Sequence, residues 1–457
     1  MDPEWAVAEA VRLGARFADC RLESVVEDRV SVEDGEVRGV TSGSETGFAI
    51  RALVGDTWGF ASSNDLRTSA VRDAVRKAVR LGGATKGSPV GLAEAPTVRA
   101  SEVWDPRRDP HDVAPEDKLA LLRDIEAATR EVRGIHSVTG SVASATVRKT
   151  FADSEGRLVR WGLTRTVVAT NVTARAGGRL QSMGSRVGGT LGWEIVQQQD
   201  PVAKAVERAR SAVAALKARS PKGGRRTVVI DHELAGVFAH EAVGHAAEAD
   251  LVASGESLFR GRIGERLGVE GLSIRDDSTI RGAFGSFPFD DNGVAGQSRP
   301  ILEDGVLTGH LCDREHAHAL GLRPTGSARA DGFHSKPLVR MSNTLIAPGD
   351  VPEDEVFSGI REGVYCKGSR GGQVDCARGT FLFNAQEAYV IKDGELGPSL
   401  RDVSLTGDIL STLHNIDALG DTARMGDPGH CGKGQWVPVC DGGPLVRIRD
   451  CLVGGAG

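Results

Sequence analysis

Apolar and polar positions follow two different periods along this chain. Across Pro3–Phe17, Trp5, Ala6, Ala8, Val11 and Leu13 recur at helical spacing, which predicts a short amphipathic helix. The period then shortens to that of strands over Arg21–Ser31, Glu36–Ser42, Thr46–Val54 and Trp58–Ser62, with hairpin turns expected at Asp34-Gly35 and Gly55-Asp56. Asp65 stands where it can cap a second helix through Val71, Ala74, Val75, Ala78 and Val79, which Gly82-Gly83 ends. Gly83–Asp112 reads as an extended connector rich in Pro, Gly, Ala and Asp. A helix over Pro115–Arg130 and paired strands over Ile135–Phe151 and Leu158–Ala174 follow, the strands turning at Glu155-Gly156. Val202–Ala218 is helical again.

Ser220-Pro221-Lys222-Gly223-Gly224 breaks this pattern, and a domain boundary is expected there. It divides an N-terminal α/β domain, 1–220, from a C-terminal β-rich domain, 224–457. The second half opens with an apolar strand, Thr227–Ile230, running into a helix over about His232–Leu251. Beyond it lie short β-rich runs: Leu272–Arg275, Leu338–Ile346, Thr380–Phe383, Ala388–Ile391, Trp436–Val439 and Leu445–Arg449. They predict a large, mainly antiparallel sheet or barrel-like domain. Helices and strands are intermixed without strict alternation, so the expected class is α+β.

Composition narrows the function classes. With 457 residues, 40% hydrophobic and 26% charged, the chain can bury a core without disulfides or lipid. The net charge of −6 is spread along the chain, and the longest basic run, Lys222–Arg226, reads as a solvated linker. Nucleic acid is therefore not an expected partner. Met1-Asp2-Pro3-Glu4 has none of the features of a signal peptide, and no apolar stretch nears the roughly 18 residues of a membrane span. Seven irregularly spaced Cys fit a reducing compartment. A soluble, cytoplasmic protein is expected, with no membrane partner.

The chemistry concentrates in His240-Glu241-Ala242-Val243-Gly244-His245. Two imidazoles can each offer a neutral nitrogen to Zn²⁺, and Glu241 can serve as general base. The spacing is one residue longer than in the His-Glu-x-x-His of zinc peptidases. On a regular α-helix the two His would diverge by about 140°. At about 4.4 residues per turn, the π-type value, they come within about 50°. An irregular turn between Ala242 and His245 is therefore predicted, with Gly244 easing the unusual dihedrals. Glu248 and Asp250 follow closely and can orient the ligand imidazoles.

A third ligand must come from elsewhere. His232-Glu233 is one candidate, Cys431 a better one, and adjacent His430 a rival. The cluster His310, Cys312, His316 and His318 matches no ligand pattern. No Gly-x-Ser-x-Gly elbow occurs, although Cys376 or Cys431 with a distant His would permit a thiol hydrolase. Gly371-Gly372 and Gly188-Gly189 lack phosphate-loop spacing and read as turns.

These residues resemble the TldD/PmbA family, in its TldD-like metallopeptidase branch. The resemblance is carried by His240 to Asp250, by Gly371-Gly372-Gln373-Val374-Asp375 with Phe381, Phe383 and Glu387-Ala388-Tyr389, and by Cys431 to Val439. Weaker similarity surrounds Gly47-Phe48-Ala49 and Gly59-Phe60-Ala61, so it spans essentially the whole chain. The resemblance implies zinc held by His240, His245 and Cys431, with Glu241 activating water. It implies a peptide substrate, unfolded or flexible, and a dimer enclosing the active sites, either a homodimer or a heterodimer with a PmbA-like paralogue. Cys376 and Cys440 depart from the family pattern. The alternative function is a non-catalytic regulatory or peptide-binding subunit with a structural zinc site.

Overall fold

Asp34 and Gly35 have φ values of 50° and 80°, the two positive values that a type I′ hairpin turn requires. They join β1 (Phe17–Glu33) to β2 (Glu36–Val54), and Gly55-Asp56 joins β2 to β3 (Thr57–Ser63). The computed structural model describes residues 1–84 and 89–455. Strand β2 runs unbroken through Gly43, which pairs with Glu27, so the expected interruption there is absent. Helix α1 (Pro3–Arg12) starts at Asp2, whose carboxylate accepts from the Glu4 amide. Helix α2 (Thr68–Ala84) begins later than the sequence pattern suggested, because Asp65 accepts from the Arg67 amide in the turn before it.

Within the expected connector, β4 (Arg99–Trp104) pairs in parallel with β6 (Leu158–Ala176). The order across the sheet is β3-β2-β1-β5-β6-β4, where β5 is Ile135–Asp153, and β7 (Arg179–Gly189) also pairs with β6. Strand β7 escapes the sequence pattern because its inward positions Gln181, Met183, Ser185 and Val187 include only two apolar side chains. One face of the sheet is covered by helices. Ala6, Val7, Ala10, Val71, Val75 and Ala78 of α1 and α2 pack on Phe48 and Ile50. Farther along, α3 (Pro115–Arg130) sets Leu122 and Ile125 against Val142 and Val168. After the short α4 (Ile195–Gln199), α5 (Pro201–Lys217) sets Ala209 and Ala212 against Val138 and Val172.

From β8 (Gly224–Ile230) onward the chain builds a different architecture. Strand β8 pairs in parallel with Glu362–Asp375 and antiparallel with Val446–Gly455. The latter pairs with Val403–Asp408, which pairs with Thr380–Lys392, which returns to Glu362–Asp375. Five strands thus close a ring, which satisfies their backbone groups without leaving an edge. Strand Glu362–Asp375 is hidden in the sequence by Gly368 and Gly371, whose φ values are 65° and 97°, at a register shift between Ser369 and Gly372.

A second sheet runs in the order Val306–Leu307, Ser298–Glu303, Ile274–Asp277, Asn343–Ile346, Trp436–Gly443 and Arg424–Met425. Between ring and sheet lies the helical segment that begins at His232. Its Leu234, Phe238 and Val243 share one core with Phe381, Phe383 and Leu405 of the ring and Ile274, Ile346 and Val437 of the sheet. The architecture is α+β. Among the described residues no helix is long and apolar enough to cross a membrane.

Candidate metal centre

Helix α6 (His232–Phe238) is capped by Asp231, whose carboxylate accepts from the Leu234 amide at 2.9 Å. The backbone then widens into a π turn over Ala239–Gly244 and tightens into a 3₁₀ turn over His245–Ala247. At Glu248 it becomes extended, and a last helix covers Ala249–Ser254. The expected continuous helix to Leu251 is therefore broken, and the irregular turn begins at Ala239. The π turn answers the five-residue spacing: the His240 and His245 rings sit with centroids 5.2 Å apart, edge to face at 88°.

Small side chains let this segment sit tightly in the core. A Cβ at Gly236 would overlap the backbone of Gly442, and one at Gly244 would overlap Sδ of Met341. Gly244 itself has ordinary helical dihedrals, φ −59° and ψ −53°. It is required by its close neighbour Met341, and not by the dihedral freedom that the sequence argument invoked.

Cys431 arrives on a separate strand, Gly429–Gly432, opposite Val437 of Trp436–Gly443. Consecutive side chains of a strand face opposite ways. Cys431 consequently points into the core, while His430 points outward against the Phe284 ring, centroids 5.4 Å apart. Sγ of Cys431 lies 3.3 Å from Nε2 of His245. Donor atoms of His240, His245 and Cys431 all fall within 4.8 Å of one another. The structure does not bring His430 or His232 into this group. His232 instead uses Nδ1 on the Gly443 carbonyl at 2.8 Å and faces Glu353 with Nε2.

The electrostatics distinguish this cysteine from the others. Burial pushes the Cys431 thiol up, but the His240 and His245 imidazoles beside it outweigh burial and hold it at about 4. Burial pushes His240 down, but the Cys431 sulfur raises it overall to about 9. His245 is also raised: burial opposes its charge, while Glu248 and Cys431 more than compensate. Burial pushes Cys376 up to about 11 and raises Cys440 as well. The favoured thiolate is at Cys431.

Nδ1 of His245 bonds to Oε2 of Glu248 at 2.9 Å, which leaves Nε2 turned toward the sulfur. Glu248 is completely buried. Asp250 bonds to Lys433 and not to an imidazole. Oε2 of Glu241 lies 3.9 Å from Nε2 of His245, and its side chain keeps partial access to solvent. Nδ1 of His240 is buried without a hydrogen-bond partner. Two imidazoles, one of them carrying that orphaned nitrogen, and a low-pKa thiol form a donor set that fits Zn²⁺. The cluster around His310 is different in kind, since His316 pairs with Asp313 at 2.9 Å and the Cys312 thiol faces the His310 carbonyl.

Fold and donors together define a class: an α+β protein with a buried cluster of two histidines, set by a π turn and the 3₁₀ turn after it, and one cysteine from a separate strand. Three family models match the chain, for the PmbA/TldA metallopeptidase domain 1 over 18–82, its central domain over 108–225 and its C-terminal domain over 223–455. The chain belongs to the PmbA/TldD metallopeptidase family. It is 42% identical to a metalloprotease of Methanothermobacter thermautotrophicus, over 96% of this chain and 95% of the relative. It is 30% identical to a zinc metalloprotease TldD homolog of Saccharolobus solfataricus, over 98% of this chain and 99% of the relative. Among solved structures, TldE from Thermococcus kodakarensis superposes with a TM-score of 0.79 at 17% identity, covering 99% of both chains. A candidate modulator of a DNA gyrase from Thermotoga maritima gives 0.80 at 18%, again over 99% of both. These last two share the fold.

Proposed function

We propose that this protein is a zinc-dependent peptidase acting on unfolded or flexible peptides. The observation that carries this reading is the convergence of His240, His245 and Cys431 on one point, with the Glu241 carboxylate beside it. The two imidazoles and the thiolate would hold the ion, leaving a fourth position for water or substrate. Zn²⁺, when bound, supplies Lewis-acid chemistry, acidifying water and polarising the scissile carbonyl. Glu241 takes the proton of the attacking water and returns it to the leaving amine. The substrate lies extended along a sheet edge near the site, so main-chain hydrogen bonds carry most of its binding. The names of relatives support the metallopeptidase reading, and one of them names zinc. The protein works in the cytoplasm as a dimer, with itself or with a PmbA-like chain.

The deciding experiment is hydrolysis of a disordered peptide, with chelation and zinc add-back. Cleavage lost on chelation and restored by zinc is the expected result. Stoichiometric zinc without cleavage, alone or with a PmbA-like partner, would make the chain a regulatory or peptide-binding subunit with a structural ion.

A further inference from the structure

The donors of the centre come from two segments far apart in the chain, and two cations, one buried and one half-buried, join those segments. Arg340 is fully buried. Its guanidinium donates Nη2–H to the carbonyl of Cys431 and Nη1–H to the carbonyl of Gln435, the latter at 2.8 Å. One planar fork therefore holds both ends of the turn that follows Cys431. The third edge of that group, Nε, faces Oε1 of Glu248 at 3.9 Å.

Lys433 sits within the same turn and points back at the helix. Its ammonium reaches Oε2 of Glu248 at 3.1 Å, Oδ2 of Asp250 at 2.8 Å and the carbonyl of Val339 at 2.6 Å. Oδ1 of Asp250 lies 3.0 Å away as well, so two carboxylates and one carbonyl, from two segments, surround the three protons of the ammonium. Glu248 Oε2 is the same oxygen that bonds to the His245 ring. Arg340 thus holds the turn that carries the sulfur, and Lys433, within that turn, pairs with the carboxylate that orients the imidazole.

We propose that Arg340 and Lys433 are positioning residues of the centre. Arg340 sets where the Cys431 sulfur stands, and Lys433 couples that turn to the Glu248 carboxylate that aims His245. Neither touches substrate. This inference rests on the zinc reading above and adds to it the pair of residues that fix the ligand geometry.

The test uses Arg340→Lys, which keeps the charge but loses the fork, and Lys433→Met, which keeps length but loses the ammonium's bonds. Arg157→Lys is the control, since Arg157 is equally buried but pairs with Asp153 at 3.1 Å in the N-terminal sheet. Each full-length protein is assayed for zinc affinity by chelator competition and for the thiolate-to-cobalt band of its Co²⁺ form. Arg340→Lys and Lys433→Met should lower zinc affinity by about 10- to 100-fold, the usual cost of losing a partner behind the ligands, and should shift the cobalt band. Lys433→Arg should recover part of the affinity. Arg157→Lys should lower the melting temperature and leave both metal readouts unchanged. If Arg340→Lys fails to fold, Lys433→Met and Lys433→Arg decide alone. Native zinc affinity and cobalt band in Lys433→Met, with only the melting temperature reduced, would overturn the inference. Wild-type protein that binds no zinc, or that keeps it in Cys431→Ala, would instead overturn the zinc reading itself.

Discussion

The sulfur of Cys431 stands 3.3 Å from Nε2 of His245, although 186 positions separate them in the chain. His240 and His245 together make Cys431 the thiol most easily ionised, whereas burial raises Cys376 and Cys440. Cys431→Ala should therefore lose zinc and peptidase activity together, and Cys376→Ala or Cys440→Ala should lose neither. Metal analysis of the three purified variants checks this. Zinc kept in Cys431→Ala and lost in Cys376→Ala would reverse the assignment.

Glu241 lies beside the donors without completing the set. Glu241→Gln cannot accept a proton but preserves the shape, so zinc content should stay at wild-type level. Turnover should fall by about 10²- to 10⁴-fold, the range general-base catalysis contributes. Comparable turnover at full zinc occupancy would remove Glu241 from the mechanism.

Metal uptake should release protons from the imidazoles and not from the thiol. At pH 7, Cys431 has already lost its proton, with a value of about 4, while His240 holds one up to about 9. Zinc affinity should therefore rise with pH up to about 9, roughly tenfold per unit for each proton displaced. In the zinc-free protein the signs are opposite for the two groups. The raised His240 contributes stability that is whole below its ordinary 6.5 and lost as pH rises through about 9. The lowered Cys431 contributes stability that is whole above its ordinary 9.0 and lost as pH falls through about 4. Titration calorimetry in buffers of differing ionisation enthalpy should show at least one proton released per zinc at pH 7, and none would contradict the charge states.

Gly244→Val should disturb the centre without replacing a ligand. Its Cβ would press on Met341, which is fully buried and has nowhere to retreat. Zinc affinity and melting temperature should both fall, and Met341→Ala in the same chain should restore part of each. A double-mutant cycle showing simple additivity would mean that the two residues do not meet.

Much of the centre could be read from spacing alone. The five-residue step from His240 to His245 demands a turn wider than an α-helix, and the backbone widens from Ala239. The strand period marks Phe17–Glu33 and its hairpin, because Asp34 and Gly35 are residue types that accept the positive φ values the turn needs. Other elements depend on partners that no local pattern announces. The strand Glu362–Asp375 pairs with β8 over Gly363–Cys366 and with Thr380–Lys392 on either side of the break at its glycines, so its pairing compensates for poor propensity. Arg99–Trp104 is a strand only because β6 offers it an edge. Lys433 lies in a run that the family resemblance had marked, but Arg340 carries no local signal at all. Its importance comes from the two carbonyls it meets across the fold.

The strand Val446–Gly455 sits between β8 and Val403–Asp408 inside the closed ring. A growing chain cannot complete that ring when β8 leaves the ribosome, nor when Glu362–Asp375 follows. It must wait for more than two hundred residues of synthesis after β8 begins. His240 and His245 emerge early in that interval and Cys431 near its close. An ion with all three donors in place therefore reports that synthesis has passed residue 431. Nascent-chain fragments released before residue 431 should hold zinc no better than two exposed histidines would, which makes metal loading wait for the segment that carries the third donor.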